Sequence, residues 1–233
     1  MLNDVVPMVV VTGASSGIGL AIAQHLLDAS YRVTGVDVAP ACIEHAHYRH
    51  VQDDLSGNGD ETLKSLEKLR VYGLVHAAGV LRVGPLGQLD LRAGELMWRI
   101  HVQAATMLAN ALLPQMLNSG QGRMVFIGSR VAAGLAGRGQ YAASKAALLA
   151  MAKSWAAEVA SKGVTINMIS PAATDTGMLK DPSRTSSLPR LPPLGRYIQP
   201  QEVASMVGYL LSPAAAAITG QDIQICGGSS LNQ

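Results

Sequence analysis

The sequence is poor in aromatic residues, in cysteine and in unbalanced charge. Its 233 residues include only one Phe, two Trp and six Tyr, so aliphatic side chains and Met must fill the core. The two cysteines, Cys42 and Cys226, are far apart and form no CxxC pattern, which excludes a disulfide framework and indicates reduced thiols. Lys and Arg number 18 against 16 for Asp and Glu, and no basic run is present, so we expect no nucleic-acid partner.

Long hydrophobic runs and metal-binding patterns are also missing. The apolar stretch near the amino terminus is interrupted at Gly13 and follows no cationic segment, so it predicts neither a membrane span nor a secretory signal. We therefore expect a cytoplasmic protein. The histidine tract around His45, His47 and His50 offers no second group of ligands, and alternation along a strand would put His45 and His47 on one face and His50 on the other, so we predict no metal.

What the sequence does contain is an alternation of short β-branched runs with longer helical stretches. Strands hydrophobic on both faces predict a parallel sheet covered by helices on each side. We expect an α/β fold, a Rossmann-type doubly wound sheet of about seven strands, in a single domain over 1–233. The predicted strands are 8–12, 32–37, 48–52, 72–76, 123–127, 164–169 and 222–226, and the predicted helices 18–29, 60–70, 89–117, 141–162 and 200–211.

Two segments stand out against this pattern. The stretch 180–200 is rich in Pro, Ser, Arg and Leu, which predicts a mobile substrate loop over the active site. The helices predicted at 89–117 and 141–162 carry Ala-, Leu- and Met-rich faces that a second copy of the chain would cover.

The first predicted strand leads directly into a helix through TGASSGIG, residues 12–19. Glycines there allow a sharp turn and a close approach to a pyrophosphate, whose charge the helix amino terminus favours. Asp37 ends the second strand, where a carboxylate accepts hydrogen bonds from the adenosine ribose and repels a 2′-phosphate, so NAD is favoured over NADP. The predicted cofactor residues of this unit are Gly13, Ser15, Ser16, Gly17, Ile18, Gly19 and Asp37.

Tyr141 and Lys145 stand four residues apart at the start of a predicted helix, so they share one face. A nearby ammonium lowers the pKa of a phenol from its ordinary value near 10, which suits the phenol for proton exchange with an alcohol. Ser129 follows the fifth predicted strand at the same sheet edge, where its hydroxyl would hold the substrate oxygen. Arg82 and Arg130 near this edge are candidates for clamping a carboxylate, although surface ion pairs are the commoner role.

These motifs together resemble those of the classical short-chain dehydrogenase/reductase family along essentially the whole chain. TGASSGIG matches TGxxxGxG, YAASK at 141–145 matches YxxxK, HAAG at 76–79 stands where the family has NNAG, and 171–176 resembles PGxxxT. The resemblance implies that Lys145 also binds the nicotinamide ribose and that Thr176 binds the carboxamide. It implies a homodimer or homotetramer, and it extends the cofactor site to Asp54, Leu55, Ala77, Ala78, Gly79, Tyr141, Lys145, Pro171, Thr174 and Thr176.

The sequence departs from the family pattern in several places. His101 stands where the family has a catalytic Asn that holds a proton-relaying water, and an imidazole could serve as the relay or be a structural substitute. Ser129 precedes Tyr141 by 12 residues, one fewer than is usual in the family. Ala172, Gly73 and Cys226 replace a Gly and two Asp of the family pattern, which affects loop geometry more than chemistry.

The expected function is an NAD(H)-dependent oxidoreductase that interconverts a secondary alcohol and a ketone, with Ser129, Tyr141, Lys145 and His101 as its catalytic residues. Stretches such as AAGVLRVG and ITGQDIQICGGSSL are similar to 2,3-dihydro-2,3-dihydroxybenzoate dehydrogenases, which implies a cyclic dihydrodiol substrate. The same stretches are close to 3-oxoacyl-carrier-protein reductases, so a carbonyl reductase is the alternative. A catalytically silent NAD-binding regulatory protein is an alternative of another class.

Overall fold

The computed structural model describes residues 6–67, 69–180 and 189–231. Seven strands form a parallel sheet in the order β3-β2-β1-β4-β5-β6-β7, which confirms the predicted doubly wound α/β fold. Neighbouring strands β1 and β4 are far apart in sequence, so the strand order reverses between them and opens a crevice at their carboxyl ends. The strands are β1 Met8–Thr12, β2 Arg32–Asp37, β3 Tyr48–Gln52, β4 Val71–His76, β5 Gly122–Ile127, β6 Val164–Pro171 and β7 Asp222–Ile225.

Helices cover both faces of the sheet. On one face α1 and α6 pack over Val9, Val11 and Val33, and on the other α4 and α5 pack over Val10, Leu74 and Phe126. Aliphatic side chains and Met dominate both clusters, as the shortage of aromatic residues predicts. The α-helices are α1 Gly17–Asp28, α2 Asp60–Leu66, α3 Leu91–Trp98, α4 Ala104–Ser119, α5 Gly139–Val159 and α6 Pro200–Leu211.

The prediction of one continuous helix over 89–117 is wrong. The helix begins at Leu91, and a π-helical turn, Arg99–Gln103, separates α3 from α4. The carbonyl oxygen of Ile100 in this turn accepts a hydrogen bond from His76 at the end of β4, at 3.0 Å. A helix carbonyl that accepts a hydrogen bond from a side chain outside the helix favours such a local widening. Hydrophobic periodicity does not indicate a contact of this kind. The other correction is α2, which ends at Leu66 instead of continuing to residue 70.

The predicted substrate loop at 180–200 lies partly outside the described residues, since 181–188 are not among them. Its described part, 189–199, is attached to the sheet edge by backbone hydrogen bonds. Leu194 donates to Gly227, and Ile198 donates to Ala173, each at 3.0 Å. Mobility of the loop stays a prediction, and its carboxyl-terminal half is anchored beside β6 and β7.

Two predictions, that of no membrane span and that of no metal site, can be compared with the residues that the structure describes. None of the helices there is both long enough and apolar enough to cross a membrane. No three side chains of His, Cys, Asp or Glu come together there as potential metal ligands. His45 and His47 lie in the loop before β3 and not on the strand itself.

Candidate active site

Two adjoining cavities occupy the crevice at the carboxyl ends of β1 and β4. The larger, of about 410 Å³, is lined by residues that follow β4, β5 and β6 and by the first turns of α5. The smaller, of about 290 Å³, is lined by the glycine loop and the ends of β2 and β3. Ala77, Gly79 and Ile18 line both cavities, so the two form one continuous site.

The glycine loop has a backbone that other residues could not adopt. Gly13 has φ +70°, and a Cβ there would lie 2.9 Å from the backbone of Ala78. A Cβ on Gly19 would overlap the carbonyl of Gly13. The loop therefore packs backbone on backbone, which brings its peptide groups to the floor of the crevice.

The amino terminus of α1 faces this floor. Its N-cap residue Ser16 has an extended backbone, and its side chain makes no capping hydrogen bond. The first N–H groups of a helix have no partner within the helix, so they remain free to bind an anion placed at this end. The residues present thus fit the pyrophosphate of a dinucleotide.

Asp37 is held at the edge of the smaller cavity by two backbone donors. Its Oδ2 accepts from the Ser15 N–H and its Oδ1 from the Ala39 N–H, each at 2.9 Å. Each carboxylate oxygen keeps a further lone pair for ribose hydroxyls. The described lining of this cavity contains no Lys or Arg beside its acidic residues Asp37, Asp53 and Asp54, so nothing there would neutralise a 2′-phosphate.

Most of the predicted cofactor residues meet in the crevice. Ser15 is the exception because it lines neither cavity: its N–H binds Asp37 and its hydroxyl donates to the carbonyl of Pro40. The predicted residues that line one or both cavities are Gly13, Ser16, Gly17, Ile18, Gly19, Asp37, Asp54, Leu55, Ala77, Ala78, Gly79, Tyr141, Lys145, Pro171, Thr174 and Thr176.

Ser129, Tyr141, Lys145 and His101 all line the larger cavity. Lys145 is almost fully buried, and its Nζ donates to the carbonyl of Ile127 at 2.8 Å. Burial lowers the pKa of Lys145 to about 7, because a low-polarity environment disfavours the charged ammonium. Lys145 is thus held by a carbonyl that lies two residues before Ser129, and it stands one helical turn after Tyr141.

Ser129 has its hydroxyl oxygen engaged and its proton left to donate. The Oγ accepts from the Val131 N–H at 3.2 Å at the start of a short 3₁₀ turn, Arg130–Ala133. The chain then turns through Gly134 and Gly137, both with positive φ, before α5 begins. These turns accommodate the shortened spacing between Ser129 and Tyr141.

His101 is buried in the π-turn with both ring nitrogens in hydrogen bonds. Its Nδ1 lies 2.8 Å from the Ser144 hydroxyl, and its Nε2 accepts from the Val80 N–H at 3.1 Å. The ring stands edge-on to Tyr141, with centroids 5.5 Å apart. Burial, and then the charge of Lys145, lower the pKa of His101 well below its usual range. The relay role of His101 stays a prediction.

The sequence patterns indicated no role for the side chains of Thr12 and His76. The Thr12 hydroxyl oxygen accepts the N–H groups of Ala77 and Ala78 at 3.1 and 3.0 Å, and it lies 2.9 Å from His76 Nδ1. The available signal was a hydroxyl at the last position of a strand buried on both faces, where an unpaired polar group is costly.

Three arginines line the larger cavity. They are Arg130, Arg138 and Arg190, and the described lining contains no Asp or Glu. Arg82, the other candidate for a carboxylate clamp, is exposed, does not line the cavity and donates to the carbonyl of Leu81.

The chain is similar to known proteins in both sequence and fold. The family model described as Enoyl-(Acyl carrier protein) reductase matches residues 13–230. The chain is 35% identical to 3-oxoacyl-[acyl-carrier-protein] reductase FabG of Vibrio cholerae over 94% of this chain and 95% of that protein. It is 34% identical to 2,3-dihydro-2,3-dihydroxybenzoate dehydrogenase of Escherichia coli over 95% and 96%. A solved structure, a 4-hydroxyisoleucine dehydrogenase mutant complexed with NADH and succinate, matches with a TM-score of 0.87 and 27% identity over 97% and 99%.

The buried lysine predicts a specific pH dependence of stability. Between about pH 7 and the ordinary lysine pKa of 10.5, the unfolded chain binds a proton that the folded chain does not. The free energy of unfolding therefore rises with pH in this window through Lys145. Lys145→Met should remove this contribution. The free energy of unfolding of the variant minus that of wild type should therefore fall from pH 7 towards pH 10.5.

Urea unfolding of the cofactor-free protein at several pH values would measure this difference. Lys153→Met, at an exposed position of the same helix, is the control and should follow the wild-type pH dependence. Parallel curves for wild type and Lys145→Met would contradict the lowered pKa.

Proposed function

The chain belongs to the short-chain dehydrogenase/reductase family, and from this premise we propose that it interconverts a secondary alcohol and a ketone with NAD(H). The observation that carries the proposal is the convergence of Ser129, Tyr141 and Lys145 on one cavity that is continuous with the dinucleotide crevice. Such a constellation can move a proton at an oxygen atom while the cofactor exchanges a hydride with the adjacent carbon.

In the oxidation direction, each side chain has a separate task. Ser129 donates its hydroxyl proton in a hydrogen bond to the substrate oxygen and so fixes its position. Tyr141 accepts the proton of the alcohol, and Lys145 stabilises the phenolate form that this requires. NAD, when bound, supplies the hydride acceptor. The Ile127 carbonyl holds Lys145 Nζ at 2.8 Å, and Lys145 lines the same cavity as Tyr141.

Removing the phenol hydroxyl tests this function directly. Tyr141→Phe should lower kcat by about 10²- to 10⁴-fold, the usual contribution of a general acid–base group, and should leave NADH binding within a few-fold. Absorbance of NADH with a panel of cyclic diols, hydroxy acids and ketones measures turnover, and fluorescence titration measures binding. Tyr209→Phe, on the exposed side of α6, is the control.

The outcomes of this experiment separate the candidate functions. Full activity of Tyr141→Phe would contradict the mechanism. Tight NADH binding by the wild type without turnover of any compound in the panel would favour the catalytically silent NAD-binding protein instead.

We also propose NAD(H) as the preferred cofactor. The Asp37 carboxylate, fixed by Ser15 and Ala39, would face a 2′-phosphate with no described cation in the cavity lining to offset the repulsion. Like charges brought together in this way cost several kcal/mol.

Asp37→Ser should therefore reduce the preference for NAD over NADP, measured as the ratio of kcat/KM values, by about tenfold or more. The control Asp28→Ser lies at the opposite end of α1 and is exposed, so it should leave the ratio unchanged. A wild-type enzyme that uses NADP as well as NAD would overturn this cofactor assignment.

For the substrate, we propose a compact secondary alcohol or ketone that carries a carboxylate. The larger cavity must hold the reacting end of the cofactor within about 410 Å³ and still admit the substrate. Arg130 and Arg190 line it without a described carboxylate beside them in the lining, and a guanidinium binds a carboxylate in a bidentate manner. This favours a dihydrodiol acid over the acyl thioester of a 3-oxoacyl-carrier-protein reductase.

Arg130→Met tests the anion preference. With 3-hydroxycyclohexanecarboxylate as the probe, KM should rise about tenfold, which is the loss of one charge-assisted hydrogen bond. The neutral amide of the same compound should show no such change, and Arg82→Met should behave as wild type. A higher kcat/KM for an acetoacetyl thioester than for any carboxylate would favour the carbonyl reductase alternative.

A further inference from the structure

Two buried histidines connect the π-turn to the loop that follows β4. His76 is the last residue of β4, and His101 lies within Arg99–Gln103. Neither side chain is exposed to solvent. The two positions are 25 residues apart in sequence, yet each imidazole makes a hydrogen bond between the same two segments, 76–80 and 99–103.

The hydrogen bonds of His76 determine which of its nitrogens carries the proton. Its Nε2 faces the carbonyl oxygen of Ile100 at 3.0 Å, and a carbonyl only accepts, so Nε2 is protonated. The neutral ring then has a bare Nδ1, which accepts the hydroxyl proton of Thr12 at 2.9 Å. This leaves the Thr12 oxygen to accept two backbone N–H groups, which fills its two lone pairs.

His101 has the opposite tautomer. The Val80 N–H donates to its Nε2 at 3.1 Å, so this nitrogen is bare and the neutral ring carries its proton on Nδ1. The Nδ1–H donates to the Ser144 hydroxyl at 2.8 Å, and that hydroxyl donates to the Tyr141 carbonyl at 2.8 Å. A directed chain of hydrogen bonds thus runs from the loop after β4 through the imidazole to the first turn of α5.

We propose that His76 and His101 are a pair of neutral, oppositely protonated imidazoles that clamp the π-turn to the loop after β4 and so position Tyr141 and the cofactor-binding backbone at Gly79. They are positioning residues and not proton carriers, because every ring nitrogen is already committed to a partner. Gly79 permits the close approach: a Cβ there would lie 3.1 Å from His101 Nε2 and 3.7 Å from Lys145 Nζ.

The surroundings keep both rings neutral. Lys145 from α5 and the second imidazole are the charged or titratable groups that act on His101, and the Tyr141 ring packs edge-on against it. Burial, followed by the charge of Lys145, lowers the pKa of His76 to about 3. A proton added to either ring would break one of the described hydrogen bonds and would place a second positive charge near Lys145.

The first test reads the tautomers directly and needs no turnover, so it is independent of the proposed function. The chain has six histidines, and long-range ¹H–¹⁵N correlation spectra distinguish Nδ1–H, Nε2–H and charged rings. At about pH 5, below the ordinary histidine pKa near 6.5, one buried ring should be Nε2–H and one Nδ1–H. Spectra of His76→Asn and His101→Asn assign them. A charged ring at position 76 or 101, or the same tautomer at both of these positions, would overturn the proposal.

The second test separates positioning from proton relay and rests on the proposed function. His101→Phe keeps a ring but leaves the Val80 N–H without its acceptor and the Ser144 hydroxyl without its donor. It should weaken NADH binding and lower kcat, each by about tenfold, while the shape of the pH profile of kcat stays unchanged. His101→Gln restores a donor and an acceptor and should recover part of both losses. Loss of an ionisation from the pH profile in His101→Phe would identify a relay and would contradict the proposal.

Coupling between the two rings completes the test. Because both rings hold the same two segments, the loss of NADH affinity in the double variant His76→Phe, His101→Phe should differ from the product of the single losses by about threefold or more. His47→Asn, in the exposed loop before β3, is the control and should leave binding and kcat unchanged. Independent effects at positions 76 and 101 would show that the histidines do not act as a pair, and should the Phe variants fail to fold, the tautomers read from the spectra still test the proposal.

Discussion

The hydroxyl group of Thr12 joins the carboxyl ends of β1 and β4, and the crevice between these strands depends on that junction. It binds two successive N–H groups of the loop after β4 and one imidazole nitrogen, all at about 3 Å. A hydroxyl is the smallest side-chain group that can satisfy three partners at once. The backbone of Ala78 is thereby held against Gly13 of the glycine loop. Because His76 also binds the Ile100 carbonyl, the π-turn is attached to the same two loops.

The second constraint is electrostatic and centres on Lys145. A buried ammonium is costly unless it is paired, and here a single described carbonyl, that of Ile127, accepts from it. The lowered pKa is the consequence, and it places the group near the pH at which proton exchange is most useful. The same charge is incompatible with a second cation nearby, so the two neighbouring imidazoles remain neutral. Burial and the charge of Lys145 thus both lower the pKa values of His76 and His101.

Much of this arrangement could be predicted from the sequence, because it follows from local patterns. Strands β1, β2 and β3 have the predicted bounds, and the glycine loop, Asp37, Tyr141 and Lys145 lie where parallel strands and helical spacing place them. The π-turn could not be predicted, since it depends on a hydrogen bond between His76 and Ile100 across 24 positions in sequence. Hydrophobic periodicity indicates which face of a helix is buried, but it does not indicate that a helix carbonyl binds a side chain distant in sequence.

The main features of the active site that local patterns do not predict lie close together. The π-turn, His76 and His101 meet within one hydrogen-bonded network whose last acceptor is the carbonyl of Tyr141. A π-turn adds a residue to a helix at some cost in stability, and such turns concentrate at functional sites. Within this turn the Ile100 carbonyl binds His76 of β4 and the His101 ring binds Ser144 of α5, so one irregularity carries both attachments. The cost of departing from a regular helix is thus offset where the turn helps to position Tyr141, for which we propose the proton-exchange role.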